Sequence, residues 1–414
     1  MRIAFFHHVR AGGSKRALVE MARELKRRGH AVDAYTLETA DEAFLPLAEI
    51  VDNLHIEPFQ PFRPIETRWL PLALQYLNLV QRLKTLDALD AAQARVASRI
   101  DAGGYDVAFV HPDFMVQAPY VLRHLRTPSA YYCAEPLRRY YEPDLAAPAL
   151  RPEGLKGHIR TAWYAPVEPA FARRHKADDA ANTRAASLIL TNSDYSREAI
   201  YKAYGRFARV GPLGVDTATF RPTGAAKAHA VVNVGRFQAN KDQALTIEAV
   251  ARLPEAARPT VILVGESSGT IAYRDHLVDL ARARGVRLEL LEHVSDEALV
   301  DAYNRSKLAV FTPVREPFGF VPLEAAACGI PTVGVREAGV RESVVHGQTG
   351  LLAERDAGAL ASAIAELLND ESRREQLGAQ ALAHVREHWS WARSGSVLEA
   401  RFGDLVAQHR SAHP

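Results

Sequence analysis

Cysteine is almost missing from this chain: Cys133 and Cys328 are the only two in 414 residues. Two cysteines cannot build a disulfide framework, and these two have no metal-ligand spacing, which excludes a stapled secreted scaffold and a zinc module. A reduced cytosolic setting fits. An excess of charge is missing too. Lys plus Arg number 51 against 49 for Asp plus Glu, a balance of +2 that gives no argument for a nucleic-acid partner. No apolar run approaches the roughly 20 residues that span a bilayer, and the run at residues 1–8 is too short for a signal peptide and reads as a first strand. The protein is expected in solution or at a membrane surface. Short-period repeats and low-complexity tracts are absent as well.

What is present is the balance of a folded globular protein, 48% hydrophobic and 24% charged. Its length exceeds what one core organises, so two domains are expected. Short runs rich in Val, Ile and Leu at 3–6, 31–35, 107–110, 130–133 and 188–190 read as strands. Between the first two, residues 14–28 carry Ala17, Leu18, Met21, Ala22 and Leu25 on one helical face, with Ser14 as N-cap and Gly29 as the stop. The second half repeats the scheme, with strands at 231–234, 261–264, 288–291, 308–311 and 332–335. Helices at 243–252, 271–284, 296–306 and 322–328 alternate with them. Such alternation predicts parallel sheets covered on both faces, two doubly wound α/β units. The pattern breaks at 211–228, which sets domains at 1–210 and 211–390. A terminal helix over 391–414 packs back on the first in this reading. The region 58–100, with Trp69, Leu70, Leu72, Leu74, Tyr76, Leu77, Leu79 and Leu83, reads as a buried or interface helix.

In open α/β sheets ligands bind beyond the carboxyl ends of strands, and the chemistry-bearing residues cluster there. Glu316-Pro317-Phe318-Gly319-Phe320 follows the strand 308–311, and a helix is expected from Pro322 to the Gly329–Pro331 stop. Gly319 lets the backbone approach a ligand, and the free N–H groups of the helix suit a diphosphate. Glu324, in the first turn, suits two ribose hydroxyls, and Glu316 suits sugar hydroxyls. For either glutamate alone the alternative is a dipole partner or a solvated loop charge. Gly235-Arg236 and Lys241 follow the strand 231–234. A glycine turn with two cations either holds a diphosphate and offsets leaving-group charge or is a solvated pair. Gly265 and the run Glu292-His293-Val294 end two further strands and are expected around the base.

The run Glu316-Pro-Phe-Gly-Phe-Val-Pro-Leu-Glu324-Ala-Ala-Ala-Cys-Gly-Ile-Pro331 resembles the signature of the retaining family 4 glycosyltransferases. Gly339-Val-Arg-Glu342, His346-Gly347-Gln-Thr-Gly350, Gly214-Val-Asp216 and Phe220-Arg-Pro222 resemble the same family. The resemblance implies a GT-B fold, two Rossmann-like domains facing a cleft. It also implies phosphate binding by Arg236 and Lys241, and a retaining transfer of a hexosyl group from a UDP- or GDP-sugar. The chain departs from the family at Glu292 and His293, where glycine is common.

In the first half, Gly12-Gly13 precedes the helix 14–28 and either makes a tight turn or, as the resemblance implies, lets the loop approach donor and acceptor. His111, after the strand 107–110, is structural or, by the same resemblance, touches the donor sugar near the anomeric carbon. Glu135 either receives an acceptor hydroxyl or pairs with Arg138 or Arg139. The segment 138–176 mixes Arg138, Arg139, Arg151, Lys156, Arg160, Arg173, Arg174 and Lys176 with Tyr140, Tyr141, Trp163, Tyr164 and Phe171. That mixture suits an anionic lipid surface or a phosphorylated acceptor, or is a solvated face diluted by Glu142, Asp144 and Glu168.

The expected reaction is transfer to a hydroxyl of a glycan or lipid-linked sugar in the cytoplasm, at the inner face of a membrane in the lipid case. No side chain stands out as a nucleophile, so a front-side mechanism is preferred over double displacement. With no Asp-x-Asp motif in the chain, neither a metal ion nor another obligatory cofactor is expected. The rivals are a GT-B nucleotide-sugar epimerase or sugar phosphorylase, and a non-catalytic nucleotide-sugar-binding protein. The sequence leaves the oligomeric state open.

Overall fold

A computed structural model describes residues 1–63, 71–142, 168–266 and 272–412, except the side chains of 71–73, 75 and 168. Outside it fall Trp69 and Leu70 of the expected interface helix, Ile271, and Asp144, Arg151, Lys156, Arg160, Trp163 and Tyr164 of the basic segment. The chain forms two compact units, residues 1–192 with 197–211 and 395–414, and residues 193–196 with 212–394.

The first unit is a parallel sheet of seven strands, β1 (Arg2–His8), β2 (Ala31–Leu37), β3 (Asn53–Glu57), β4 (Val107–Asp113), β5 (Ser129–Tyr132), β6 (Leu188–Thr191) and β7 (Arg209–Val210). They lie in the order β3-β2-β1-β4-β5-β6-β7. The central strands are apolar on both faces, with Ile3, Phe5, Phe6, Val107, Phe109 and Val110 at 0% exposure, because helices cover both sides. The edge strands β3 and β7 escape the sequence reading because they are short and half-exposed, with no continuous apolar run.

Helix Gly13–Arg27 buries Ala17, Leu18, Val19, Met21, Ala22 and Leu25, and Gly29 (φ 85) ends it. The N-cap is Gly12, with no side-chain cap, and Ser14 lies inside the helix. The Gly12 carbonyl takes the Arg16 amide, so the cap lies two residues before the expected one. A single helix, Pro71–Ala102, fills most of the region 58–100 that reads as a buried or interface helix. Its C-terminal part is core, through Leu86, Leu89, Ala92, Val96 and Ile100, whereas Tyr76, Leu77 and Val80 near its start are exposed. Helix Trp391–Ala412 returns to this unit: Phe402 meets Phe109 edge-on at 5.0 Å, and Glu399 takes Arg28 at 2.9 Å.

The second unit repeats the plan with six parallel strands, β8 (Ala230–Val234), β9 (Thr260–Gly265), β10 (Leu288–Glu292), β11 (Leu308–Phe311), β12 (Thr332–Val335) and β13 (Gly350–Ala353). Their order is β10-β9-β8-β11-β12-β13. β13 and the helices Ala357–Asn369 and Glu371–His388 extend the alternation beyond the elements read from sequence. In each sheet the strand order reverses at one point, between β1 and β4 and between β8 and β11. A crevice opens there at the carboxyl ends.

Candidate functional site

In the second unit that crevice gathers the residues read from sequence. The β8 end turns through Gly235, whose amide bonds the Val264 carbonyl at 2.9 Å; Phe237 bonds Glu266, and His293 bonds Gly265. The turns after β8, β9 and β10 are thus laced together, bringing Gly235, Gly265 and His293 into one rim. Arg236 is exposed on it. Lys241 closes a short turn, Ala239–Lys241, and its Nζ donates to Glu316 Oε2 at 2.7 Å. A cation and a carboxylate 75 residues apart in sequence therefore meet between β8 and β11.

The loop after β11 is held from behind. Gly319 sits at φ 91, and a Cβ there would lie 2.8 Å from the Phe311 ring. The Pro317 carbonyl accepts Ser193 Oγ at 2.6 Å, and a Cβ on Gly339 would lie 2.1 Å from that carbonyl oxygen. Gly339 also donates its amide to the Glu316 carbonyl, which gives a physical role to a glycine seen only as part of a motif. Phe318 is buried between Trp389 and Phe320, with ring centroids at 5.2 and 5.5 Å. The helix runs Phe320–Ala327, two residues earlier than expected, because Pro322 is accepted inside the first turn. Glu324 consequently stands in the second turn, nearly buried, and accepts the Tyr303 hydroxyl at 2.8 Å. Burial, then Glu324, pushes the Tyr303 phenol well above its ordinary range, so it stays a donor.

Around the expected base site the picture differs. Glu292 takes Arg274 Nε at 3.1 Å, and His293 holds a left-handed φ of 53 with its ring largely exposed. Val294 follows, half-buried.

In the first unit the crevice between β1 and β4 lies beside Gly12-Gly13, where Gly13 opens the helix. His111 is inside β4 rather than after it, 2% exposed. Its ring stacks on Phe5 and Tyr132. Burial, with His7 and Lys15 adding to it, holds the imidazole well below its usual range, and among the described residues its Nε2 has no hydrogen-bond partner. Asp113 is saturated by His8 and Gln93, both at 2.7 Å, and by the Met115 and Val116 amides. Sequence reasoning passed over the charges beside it. Lys15 is fully buried in the first helical turn and pairs with Glu42. Burial works against ionising Glu42, but His7 and Lys15 outweigh it and bring the carboxyl down to about 2. His7 Nε2 lies 3.1 Å from Glu42 outside hydrogen-bond geometry, and burial pulls its pKa to about 4. A charged residue within a glycine-led helix start was the available signal.

Glu135 pairs with Arg138 at 3.5 Å, and Arg138 also reaches Glu142. In the described part of the basic segment, Arg139 bonds His175 and Arg174 bonds Asp178. Among the described residues no helix is long and apolar enough to cross a membrane.

Residues 216–384 match the family described as glycosyl transferases group 1. Over 95% of its length the chain is 30% identical to the D-inositol 3-phosphate glycosyltransferase of Geodermatophilus obscurus, covering 84% of that protein. Its match to the Corynebacterium diphtheriae protein of that name is 34% identical but spans 42% of either chain. Among solved structures, HepE from Anabaena in complex with UDP and glucose aligns with a TM-score of 0.72. The alignment covers 98% of this chain and 100% of that one at 21% identity, and it shows a shared fold. The expected GT-B class, two Rossmann-like parallel-sheet units, is borne out.

Proposed function

The chain belongs to the group 1 glycosyl transferases, and on that premise we propose that it is a retaining family 4 enzyme. It moves a hexosyl group from a nucleoside diphosphate sugar, with UDP or GDP leaving, to a hydroxyl acceptor. The observation that carries this reading is the 2.7 Å contact of Lys241 with Glu316 at the switch point of the second sheet. One residue suits a phosphate and the other a sugar hydroxyl, and Arg236 and the Gly235 turn flank them.

Arg236 and Lys241 offset the charge that develops on the departing diphosphate. Glu316 and the 317–320 backbone hold the sugar, and Glu324 holds the ribose. His111 is the first unit's candidate for contact with the sugar, by the family resemblance alone. With no nucleophile among these groups, the leaving phosphate accepts the acceptor proton on the same face, and the anomeric configuration is retained. No divalent ion takes part; activity lost to a chelator and restored by Mg²⁺ would contradict that.

The acceptor is a hydroxyl of a glycan, a lipid-linked sugar or a phosphorylated polyol, the last because D-inositol 3-phosphate names the full-length relative. The site of action is the cytoplasm, at the inner membrane face where the acceptor is lipid-linked.

The deciding experiment is a thermal-shift screen with UDP, GDP and ADP and their sugars, starting from UDP-glucose because HepE, of the same fold, was solved with UDP and glucose. NMR of the product anomer with an acceptor panel follows. A shift with one diphosphate sugar and a product of unchanged configuration is expected. An inverted product would sink the retaining mechanism. Turnover without an acceptor would favour an epimerase, turnover requiring free phosphate a phosphorylase, and binding without turnover a non-catalytic role.

A further inference from the structure

The contact between Lys241 and Glu316 depends on two loops that have no reason of their own to hold still. Asp242, directly after Lys241, has φ 47; Arg315, directly before Glu316, has φ 46; and Ala338, directly before Gly339, has φ 45. None is glycine, so each holds a side chain in the left-handed region, where a Cβ is strained. Such strain persists only where surrounding groups enforce it.

All three segments border one side chain, Arg355, two residues beyond the end of β13. Its Nε donates to Glu337 Oε1 at 2.8 Å, and one Nη2 bond goes to Glu337 Oε2 at 2.8 Å. Nη1 donates to Asp242 Oδ2 at 2.7 Å and to the Thr312 carbonyl at 2.9 Å. The second Nη2 bond reaches the Pro313 carbonyl at 2.7 Å. These account for all five N–H donors of a guanidinium. The ties continue outward: Glu337 Oε2 accepts the Arg315 amide at 3.3 Å, Val314 bonds the Asn240 carbonyl at 2.8 Å, and Thr312 Oγ1 bonds the Asp242 carbonyl at 2.8 Å.

The charges around Arg355 respond in opposite senses. Burial raises the Asp242 carboxyl above its ordinary range in spite of Arg355. Burial also opposes ionisation of Glu337, but the forked bond from Arg355 outweighs it and the carboxyl is lowered. Glu337 takes two parallel bonds from the guanidinium and Asp242 one, so the fork sets the plane of Arg355 on Glu337.

We infer that Arg355 is a positioning residue for the transfer reaction, fixing the Lys241 turn and the Glu316 loop in register so that phosphate and sugar are met together. This rests on the reading of Lys241 and Glu316 given above. A lysine has three donors and no planar fork, so Arg355→Lys keeps a charge between Asp242 and Glu337 yet cannot span both loops.

The test compares wild type, Arg355→Lys and Arg355→Gln as full chains, titrated calorimetrically with UDP and with UMP, alongside melting temperature and steady-state turnover. The wild type binds UDP more tightly than UMP, because Lys241 reaches the second phosphate. In both variants that preference falls by roughly tenfold, UMP affinity stays within about twofold, and kcat falls roughly 100-fold, as for a misplaced catalytic geometry. A UDP/UMP preference that survives in both variants, or full recovery by Arg355→Lys, overturns the positioning role. A wild type that prefers neither UDP over UMP nor GDP over GMP overturns the phosphate role of Lys241, and the inference with it; a preference confined to GDP moves the comparison of variants to GDP and GMP.

Discussion

At the first unit's switch point His7, His8 and Lys15 are all 0% exposed, while at the second's Lys241 and Glu316 each keep 20% of their side-chain surface and Arg236 is exposed. The buried set is compensated from within: Lys15 by Glu42, His8 by Asp113, and His7 and His111 by staying neutral. The half-exposed set is compensated across a crevice, with an arginine behind it holding both loops. A buried charge without its partner costs stability, whereas a rim charge without its partner costs little. Removing a polar residue should therefore damage folding in the first unit and turnover in the second.

The sharpest way to break that contrast is Glu316→Ala. Turnover is expected to fall roughly 10²–10³-fold, the scale for removing one preorganised electrostatic group, with stability changed by about 0.5 kcal/mol or less. Initial rates and melting curves check both halves; unchanged turnover would remove Glu316 from the site.

The counterpart is Glu42→Gln. It strands a buried Lys15 and is expected to cost about 3 kcal/mol in urea unfolding. Lys15→Met combined with Glu42→Gln should recover most of that loss, since removing both charges of a buried pair is far cheaper than removing one. A double variant as unstable as the single would mean that the pair is not the source of the cost.

The same difference governs what sequence could reveal. The second unit's residues lie on loops at strand ends, where a glycine with φ 91 or a run such as Glu316–Glu324 leaves a local trace, so the pairing of strand end and helix start could be read directly. Arg355 leaves none: its five bonds reach residues 18 to 113 positions away, and an arginine after a short strand looks like surface. In the first unit Lys15 reads as one more charge on an amphipathic helix, and its partner Glu42 stands in an irregular stretch. Ser14 looked like a cap because local preference favours serine there, but the Gly12 backbone opens the helix without it. The parallel core strands were legible from their apolar runs, while β3 and β7 were not, because an edge strand needs no continuous apolar face.

A smaller effect sharpens the comparison on buried carboxylates that accept a tyrosine hydroxyl, a pairing found in both units. In the second, Glu324 takes Tyr303. In the first, Asp179 takes Tyr204 at 2.7 Å and the Ala118 amide at 3.2 Å, and burial raises its pKa to about 7 in spite of both bonds. Because the folded value lies above the ordinary one near 3.8, the native state holds more protons than the unfolded chain between those pH values. Stability from this group is therefore complete below about pH 3.8 and is lost as pH rises through 7. The neutral histidines His7 and His175, both lowered to about 4 by burial, act oppositely and remove stability as pH falls from about 6.5 towards 4. They mask the Asp179 slope in the wild type, so the variant is needed to expose it. Asp179→Asn keeps the shape and deletes the titration. Its stability relative to wild type should improve by about 1–2 kcal/mol on going from pH 5 to pH 7, followed by urea unfolding at each pH. A difference that stays constant across that range would mean that Asp179 is ionised throughout it. The first unit would then carry one more compensated charge in its interior, and protonation would not be among its ways of hiding charge.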